Sequence, residues 1–272
     1  MIAILLAQLA FGEDAAQVVN RVVQNELSAA KNDHTCWMYR DDNTDKGKSR
    51  VEEVIETHEG WIRQLIAENG KQPSSDEQKK NQDEIHKLLS DANYRREQRE
   101  KLDKDGEKAT QLLAILPNAF LYKLVGQQNG IIRLSFRPNP NFHPATREAK
   151  VFHGMAGTLL VDAKQMRLVK LTGHLIQAVD FGGGILGKLN KGGTFEVNQA
   201  DVGSSHWELT KLDVHISGHA MFFATIKEQQ HEVMSNFRQI PETTTLAQAA
   251  EMVKTPNGYR AAISSIPITG AH

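Results

Sequence analysis

Ile132-Arg133-Leu134-Ser135-Phe136-Arg137 and, further along, Leu212-Asp213-Val214-His215-Ile216-Ser217 place an apolar side chain at every second position. Successive side chains of an extended strand point to opposite faces, so each run has one dry face and one wet face. Phe195 and Val197, flanking Glu196, repeat the pattern. Glycine or polar turns recur at Gly126 to Gly130, Gly154 to Gly157, Gly173, Gly182 to Gly184, Gly192-Gly193, Gly203 and Gly218. Short strands with turns at that spacing form an antiparallel meander. No strand–helix alternation is present to build a parallel sheet. The expected class is α+β: a curved antiparallel sheet or incomplete β-barrel covered by helices.

The cover is legible upstream. Ala15, Val18, Val19, Val22, Val23 and Leu27 recur at helical spacing and make one apolar stripe, with Asp14 as N-cap and Gln17 three residues on. A stripe that wide needs a sheet beneath it. Residues 34–70 read as strands and turns, with Asp41 to Gly47 a polar loop and Gly60 and Gly70 closing two short runs, 51–58 and 61–68. A helical insertion follows at about 74–116. Ser74 and Glu77 stand in capping-box spacing, and the pattern runs to Ile115, just before Pro117. Between Asp91 and Lys108 the only apolar residues are Ala92, Tyr94 and Leu102, amid acids and bases in nearly equal number. A helix polar nearly all round is expected to project into solvent. Residues 13–240 are read as one β-rich domain and 241–272 as a loosely held tail, with a helical turn or two at Ala247 to Val253.

Composition sets the bounds. In 272 residues, 40% are hydrophobic, enough for a real core, and 32 Lys+Arg stand against 33 Asp+Glu. That balance supplies no basic surplus for nucleic acid. No apolar run reaches the roughly 18–20 residues of a membrane-spanning helix, so no integral membrane span is expected. One cysteine, Cys36, excludes an intramolecular disulfide. It reads as a small buried strand residue. Ile2 to Phe11 is an apolar run broken only by Gln8, and Ala10 and Gly12 are small residues at −3 and −1 of a cut after Gly12. Residues 1–12 therefore read as a signal peptide, although the usual Lys or Arg at the front is missing.

Motifs for chemistry are sparse. Gly182-Gly183-Gly184-Ile185-Leu186-Gly187-Lys188 matches a phosphate-binding loop, but Leu189 stands where Ser or Thr would hold Mg²⁺, and Gly192-Gly193 breaks any following helix. The reading is a glycine-rich loop between strands, without a nucleotide cofactor. Among 11 histidines, His215 and His219 are four apart, yet no further metal-ligand spacing supports them. No metal, cofactor or catalytic residue is assigned: Ser204-Ser205 lies in a turn, and Glu52-Glu53 point to opposite faces of a strand.

Phe136-Arg137-Pro138-Asn139-Pro140, Gly157-Thr158-Leu159-Leu160-Val161-Asp162 and Met166-Arg167-Leu168-Val169-Lys170-Leu171 resemble envelope proteins of the outer-membrane lipoprotein-sorting type, with a LolA/LolB-type fold. The resemblance covers roughly 34–240 and is strongest in the hairpin at 157–171. It implies an incomplete antiparallel barrel whose apolar concave face, covered by helices, holds acyl chains or a hydrophobic partner. The chain has no lipid-attachment cysteine, so the expectation is a soluble, exported periplasmic binding protein or chaperone for a lipid, acyl chain or lipoprotein. Ile132, Leu134, Phe136, Leu212, Val214 and Ile216 are the candidate lining, with Val18, Val22 and Val23 capping them. The alternatives are an envelope module that captures a protein partner or senses stress through its charged helix, and an unrecognised hydrolase. If the leader reading holds, mass analysis of mature protein from a periplasmic fraction will find an N-terminus at or near Glu13; retention of Met1 there would contradict it.

Overall fold

Asp14 accepts a hydrogen bond from the Ala16 N–H and opens α1 (Ala15–Asn32), whose buried side chains are those of the apolar stripe plus Glu26. The computed structural model describes residues 14–182, 187–220 and 224–254. The expected leader, residues 183–186 of the glycine-rich loop and the last part of the tail lie outside the described residues.

Three strands follow α1: β1 (Cys36–Asp45), β2 (Lys48–Thr57) and β3 (Gly60–Glu68). Two helices come next, α2 (Ser75–Ser90) and α3 (Ala92–Ala119), then β4 (Phe120–Gln128) and β5 (Ile131–Pro138). A short helix α4 (Arg147–Lys150) and a 3₁₀ turn at Val151–Gly154 lead to β6 (Met155–Asp162) and β7 (Leu168–Leu175). The chain closes with β8 (Val179–Phe181), β9 (Gly187–Leu189), β10 (Thr194–Gly203), β11 (His206–Ala220), β12 (Ala224–Ile240) and α5 (Leu246–Met252). Every strand pairing is antiparallel, and the main order is β3-β2-β1-β12-β11-β10-β7-β6-β5-β4, with β8 and β9 forming a side hairpin on β11. The sheet is open: among the described residues, β3 and β4 each have a partner on one side only.

Register turns the period-2 pattern into rows. Leu134 faces Leu159, Leu159 faces Leu171, Leu171 faces Val197, and Val197 faces Leu212. In the next row Phe136 faces Gly157, Gly157 faces Gly173, Gly173 faces Phe195, and Phe195 faces Val214. The two glycines make room for the rings: a Cβ on Gly173 would overlap Phe195, and one on Gly157 would meet the Phe136 ring. Val18, Val19, Val22 and Val23 of α1 pack onto Ile132, Leu134, Leu159, Val161, Met166 and Leu168. At the opposite end, α2 and α5 cover Cys36, Met38, Ile55, Ile62 and Ile240.

Three readings are corrected here. The insertion is two helices rather than one, because Asp91 leaves helical geometry and caps α3 by accepting from the Asn93 and Tyr94 N–H groups. Pro117 does not end the second helix: it falls in the last turn, where Tyr122 Oη donates to the Leu116 carbonyl and Asn139 Nδ2 to that of Asn118. The beginning of the presumed tail is also core, since Leu246, Ala249, Ala250 and Met252 are all buried. Its helix starts at a Thr245/Gln248 capping box.

What places α1 is polar. The Glu26 carboxylate, 6% exposed, accepts from Arg167 Nε at 2.8 Å and Nη2 at 2.9 Å, and from the Leu168 N–H at 2.8 Å. Asn25 Nδ2 donates to the carbonyls of Gln165 and Met166 in the same β6–β7 turn. Removing one partner of such a pair leaves a buried charge uncompensated. Glu26→Ala is expected to cost about 3–5 kcal/mol in urea unfolding; a loss under about 1 kcal/mol would mean that the valine stripe alone seats the helix.

Candidate functional site

Past the valine stripe and the Glu26 clamp, the last residues of α1 border a cavity. The cavity, of about 1100 Å³, opens between α1, the middle of α3 and the ends of β2, β3, β10 and β11. Its volume is at the upper end for small-molecule sites, which run to roughly 1,000 Å³. Ala29 and Ala30 of α1 form one wall. Leu102, Gly106, Ala109 and Leu113 of α3 form another, three or four residues apart and so on one helix face. Trp61, Trp207 and Leu209 contribute apolar surface from the strands. The highly charged helix therefore has one exposed side and one side that walls a cavity.

The polar groups are held in two ways. Some are tied. Arg167 is clamped by Glu26 and lies 5.9 Å from the Trp207 ring centre, while Trp207 Nε1 donates to Gln165 Oε1 at 2.8 Å. His206 Nδ1 stands 2.8 Å from Asp33 Oδ2 and 3.3 Å from Thr35 Oγ1. Asp33 is held down at about 2: burial opposes this, but hydrogen bonds from Thr35 and His206 outweigh it.

Others are loose. Burial pushes the Glu56 carboxyl up to about 8; the neighbouring Glu208 charge adds to this, and a hydrogen bond from the Trp37 N–H, 3.3 Å long, pulls against it. Burial likewise pushes Glu208 up to about 7, with Asp33 adding and Trp37, His206 and Arg167 opposing. The arginines whose charges act on them are committed elsewhere: Arg63 to Asp41 at 2.9 Å and Glu52 at 3.0 Å, Arg167 to Glu26. Trp37 is 3% exposed, and its indole N–H, beside Glu208, makes no well-formed hydrogen bond. Gln199, which lines the cavity, also has a buried carbonyl oxygen without a partner.

The residues expected to line a ligand site share the row geometry described above, but not this cavity. Val18, Val22, Ile132 and Leu134 touch one another in a single buried cluster, with Leu134 fully buried. Phe136 belongs to the adjoining cluster, against which Ile216 packs half-buried. Leu212 and Val214 lie half-buried in β11. Glu56, Glu208 and Trp61 were not singled out by sequence, and His206-Trp207, which precedes a strand, reads there as simple packing. The α3 wall was findable, since Leu102, Gly106, Ala109 and Leu113 share a face, but the surrounding charges masked it.

Other motifs resolve in simple ways. Lys188 lies in β9 and pairs with Asp180 at 3.5 Å, and a strand rather than a helix occupies that position. His215 contacts Asp213 at 2.9 Å, and the side chain of His219 lies outside the described residues. Among the described residues, no group of three His, Cys, Asp or Glu is placed to hold a metal ion. Glu52 turns to Arg63 and Glu53 to Arg238, on opposite faces of β2. Cys36 is buried, and burial raises its thiol to about 11.

No known protein family matches the chain, and no characterised protein matches it.

The raised carboxyls make stability depend on pH. A carboxyl whose pKa is higher folded than unfolded stabilises the protein fully below the unfolded value, and that contribution is lost as pH rises through the folded value. The window runs from 4.5 to about 8 for Glu56 and from 4.5 to about 7 for Glu208. The melting temperature should therefore fall between pH 5 and pH 9, by about 2–4 °C for each kcal/mol lost. In the double variant Glu56→Gln, Glu208→Gln the decline should flatten. An equal decline in the variant would mean that other groups carry it.

Proposed function

We propose that this protein is a soluble binding protein of the cell envelope that holds an amphiphilic ligand in the cavity between α1, α3 and the sheet. One observation carries this reading. A volume large enough for a small ligand is lined by leucine, alanine and tryptophan from α1, α3 and the strands, with charged and polar groups interleaved among them. Small-molecule sites have that make-up: apolar walls with a few placed polar groups that fix orientation. The plan is compatible with the LolA/LolB-type resemblance, in which helices cover a sheet face that holds acyl chains. The ligand position differs from the sequence expectation, because the valine stripe fills its own part of the face.

The arrangement favours binding over hydrolysis. Asp33 and Thr35 both approach the same nitrogen of His206, so the ring does not link a hydroxyl nucleophile on one nitrogen to an acid on the other. The Cys36 thiol is buried and its pKa raised, which suppresses the reactive thiolate. Export to the periplasm would place the protein among lipids and lipoproteins. No described helix is long and apolar enough to cross a membrane.

Gly106 offers a clean test, because nothing lies within 4 Å of the Cβ that another residue would add. Gly106→Trp should leave the melting temperature unchanged or slightly higher, since glycine weakens a helix interior by about 1 kcal/mol. It should also crowd the cavity. The neutral fluorescent probe N-phenyl-1-naphthylamine is expected to bind the native protein and to bind this variant about tenfold more weakly. Equal binding by both, or none by either, would sink the proposal.

A further inference from the structure

Resting on that reading, we infer that the cavity recognises the head of a cationic amphiphile, an ammonium group seated between Glu56 and Glu208 with the apolar chain along the α3 wall. Both carboxyls line the cavity. The Glu208 charge acts on Glu56, while the arginines that act on the pair, Arg63 and Arg167, are already paired with Asp41, Glu52 and Glu26; Arg99, on the α3 wall, is the other arginine of the lining. Around the whole cavity, acids outnumber arginines. A ligand cation would thus complete a charge pattern that the protein leaves open. An anionic head would meet like charge.

The aromatic lining suits the same head. Trp61 and Trp207 both line the cavity, each already with a guanidinium near its ring, Arg63 at 5.6 Å and Arg167 at 5.9 Å, and indole rings attract ammonium groups electrostatically as well. The buried Trp37 N–H lies beside Glu208, although Trp37 itself does not line the cavity. It lacks a well-formed acceptor, and an ionised Glu208 would be a better acceptor than a protonated one.

Binding then moves protons. In the empty cavity near neutral pH, Glu56 holds its proton and Glu208 is partly protonated. Entry of a cation favours the ionised forms, and each carboxyl O–H proton lost passes to solvent. The groups bearing on Glu56 are Tyr39, Arg63 and Glu208; those bearing on Glu208 are Asp33, His206, Arg167 and Glu56; Arg99, Asp103 and Glu107 stand on the α3 wall. A permanently charged probe separates this linkage from titration of the ligand itself.

The experiment uses decyltrimethylammonium, decanol and decyl sulfate, all below their micellar concentrations, in calorimetric titrations of the full chain. The cation is expected to bind about tenfold more tightly than decanol at pH 8, with decyl sulfate weakest. Its affinity should rise roughly five- to tenfold from pH 6 to pH 8.5, with proton release measurable in buffers of different ionisation enthalpy. Glu56→Gln, Glu208→Gln should abolish both the preference for the cation and the pH dependence while still binding decanol. Decanol and cation binding equally well to the native protein, or a double variant that keeps the cation preference, would overturn the inference and leave the cavity reading intact. If neither decanol nor the cation binds, or if both bind Gly106→Trp unchanged, the cavity reading itself fails.

Discussion

A single carboxylate decides where the first helix lies. Glu26 uses both oxygens on the Arg167 guanidinium and shares one of them with a backbone N–H, which fixes the helix against the β6–β7 turn in angle as well as in distance. Apolar packing alone is tolerant of small rotations and slides, whereas a bidentate pair out of water is not. The clamp falls one turn beyond the last valine of the stripe. It marks the point at which α1 changes from a helix that fills space to one that encloses it, and Trp207 lies over the same guanidinium.

The opposite wall is stiffened by a second polar network. Arg63 bridges Asp41, which is only 2% exposed, and Glu52, with its guanidinium 5.6 Å from the Trp61 ring centre. Tyr39 stacks on Phe237 beneath it. Burying so many charges is costly unless each finds a partner. The arginines are spent in meeting that cost, so Glu56 and Glu208 must instead remain protonated or wait for a cation from outside. Ion pairs thus hold both walls, although one Asp41 carboxylate oxygen stays buried without a partner, and Glu56 and Glu208 lie between them.

Much of this architecture can be read from residue spacing. The alternation at 132–137 and 212–217 holds because each apolar residue finds its neighbour straight across the sheet, and the α1 stripe holds because those rows must be covered. Boundaries failed where a side chain overrode a pattern. Asp91 breaks a continuous helical periodicity by capping the next helix, and α5 looked too short to matter until four of its seven residues proved buried. The site was least legible. Glu56 and Glu208 are far apart in the chain, on β2 and β11, and only the joining of β1 to β12 brings both to one cavity. No local pattern encodes such a meeting, nor does any local pattern say which arginine is already engaged.

That joining strand pair has a consequence for how the chain comes to exist. Cys36 pairs with Ile240 and Asp45 with Gln230, partners roughly 200 residues apart, a separation at which closing the intervening loop is entropically expensive. From β4 through β12 the hairpins can zip in order of synthesis. The first three strands cannot: their hairpins form early, but one border of β1 waits, unpaired, for the end of the chain to arrive. A nascent molecule would carry that bare border until β12 is made, in the condition that invites pairing with a stranger. The charged stretch Arg40-Asp41-Asp42 on β1 would serve during that interval as a guard against aggregation, before it becomes part of the finished sheet.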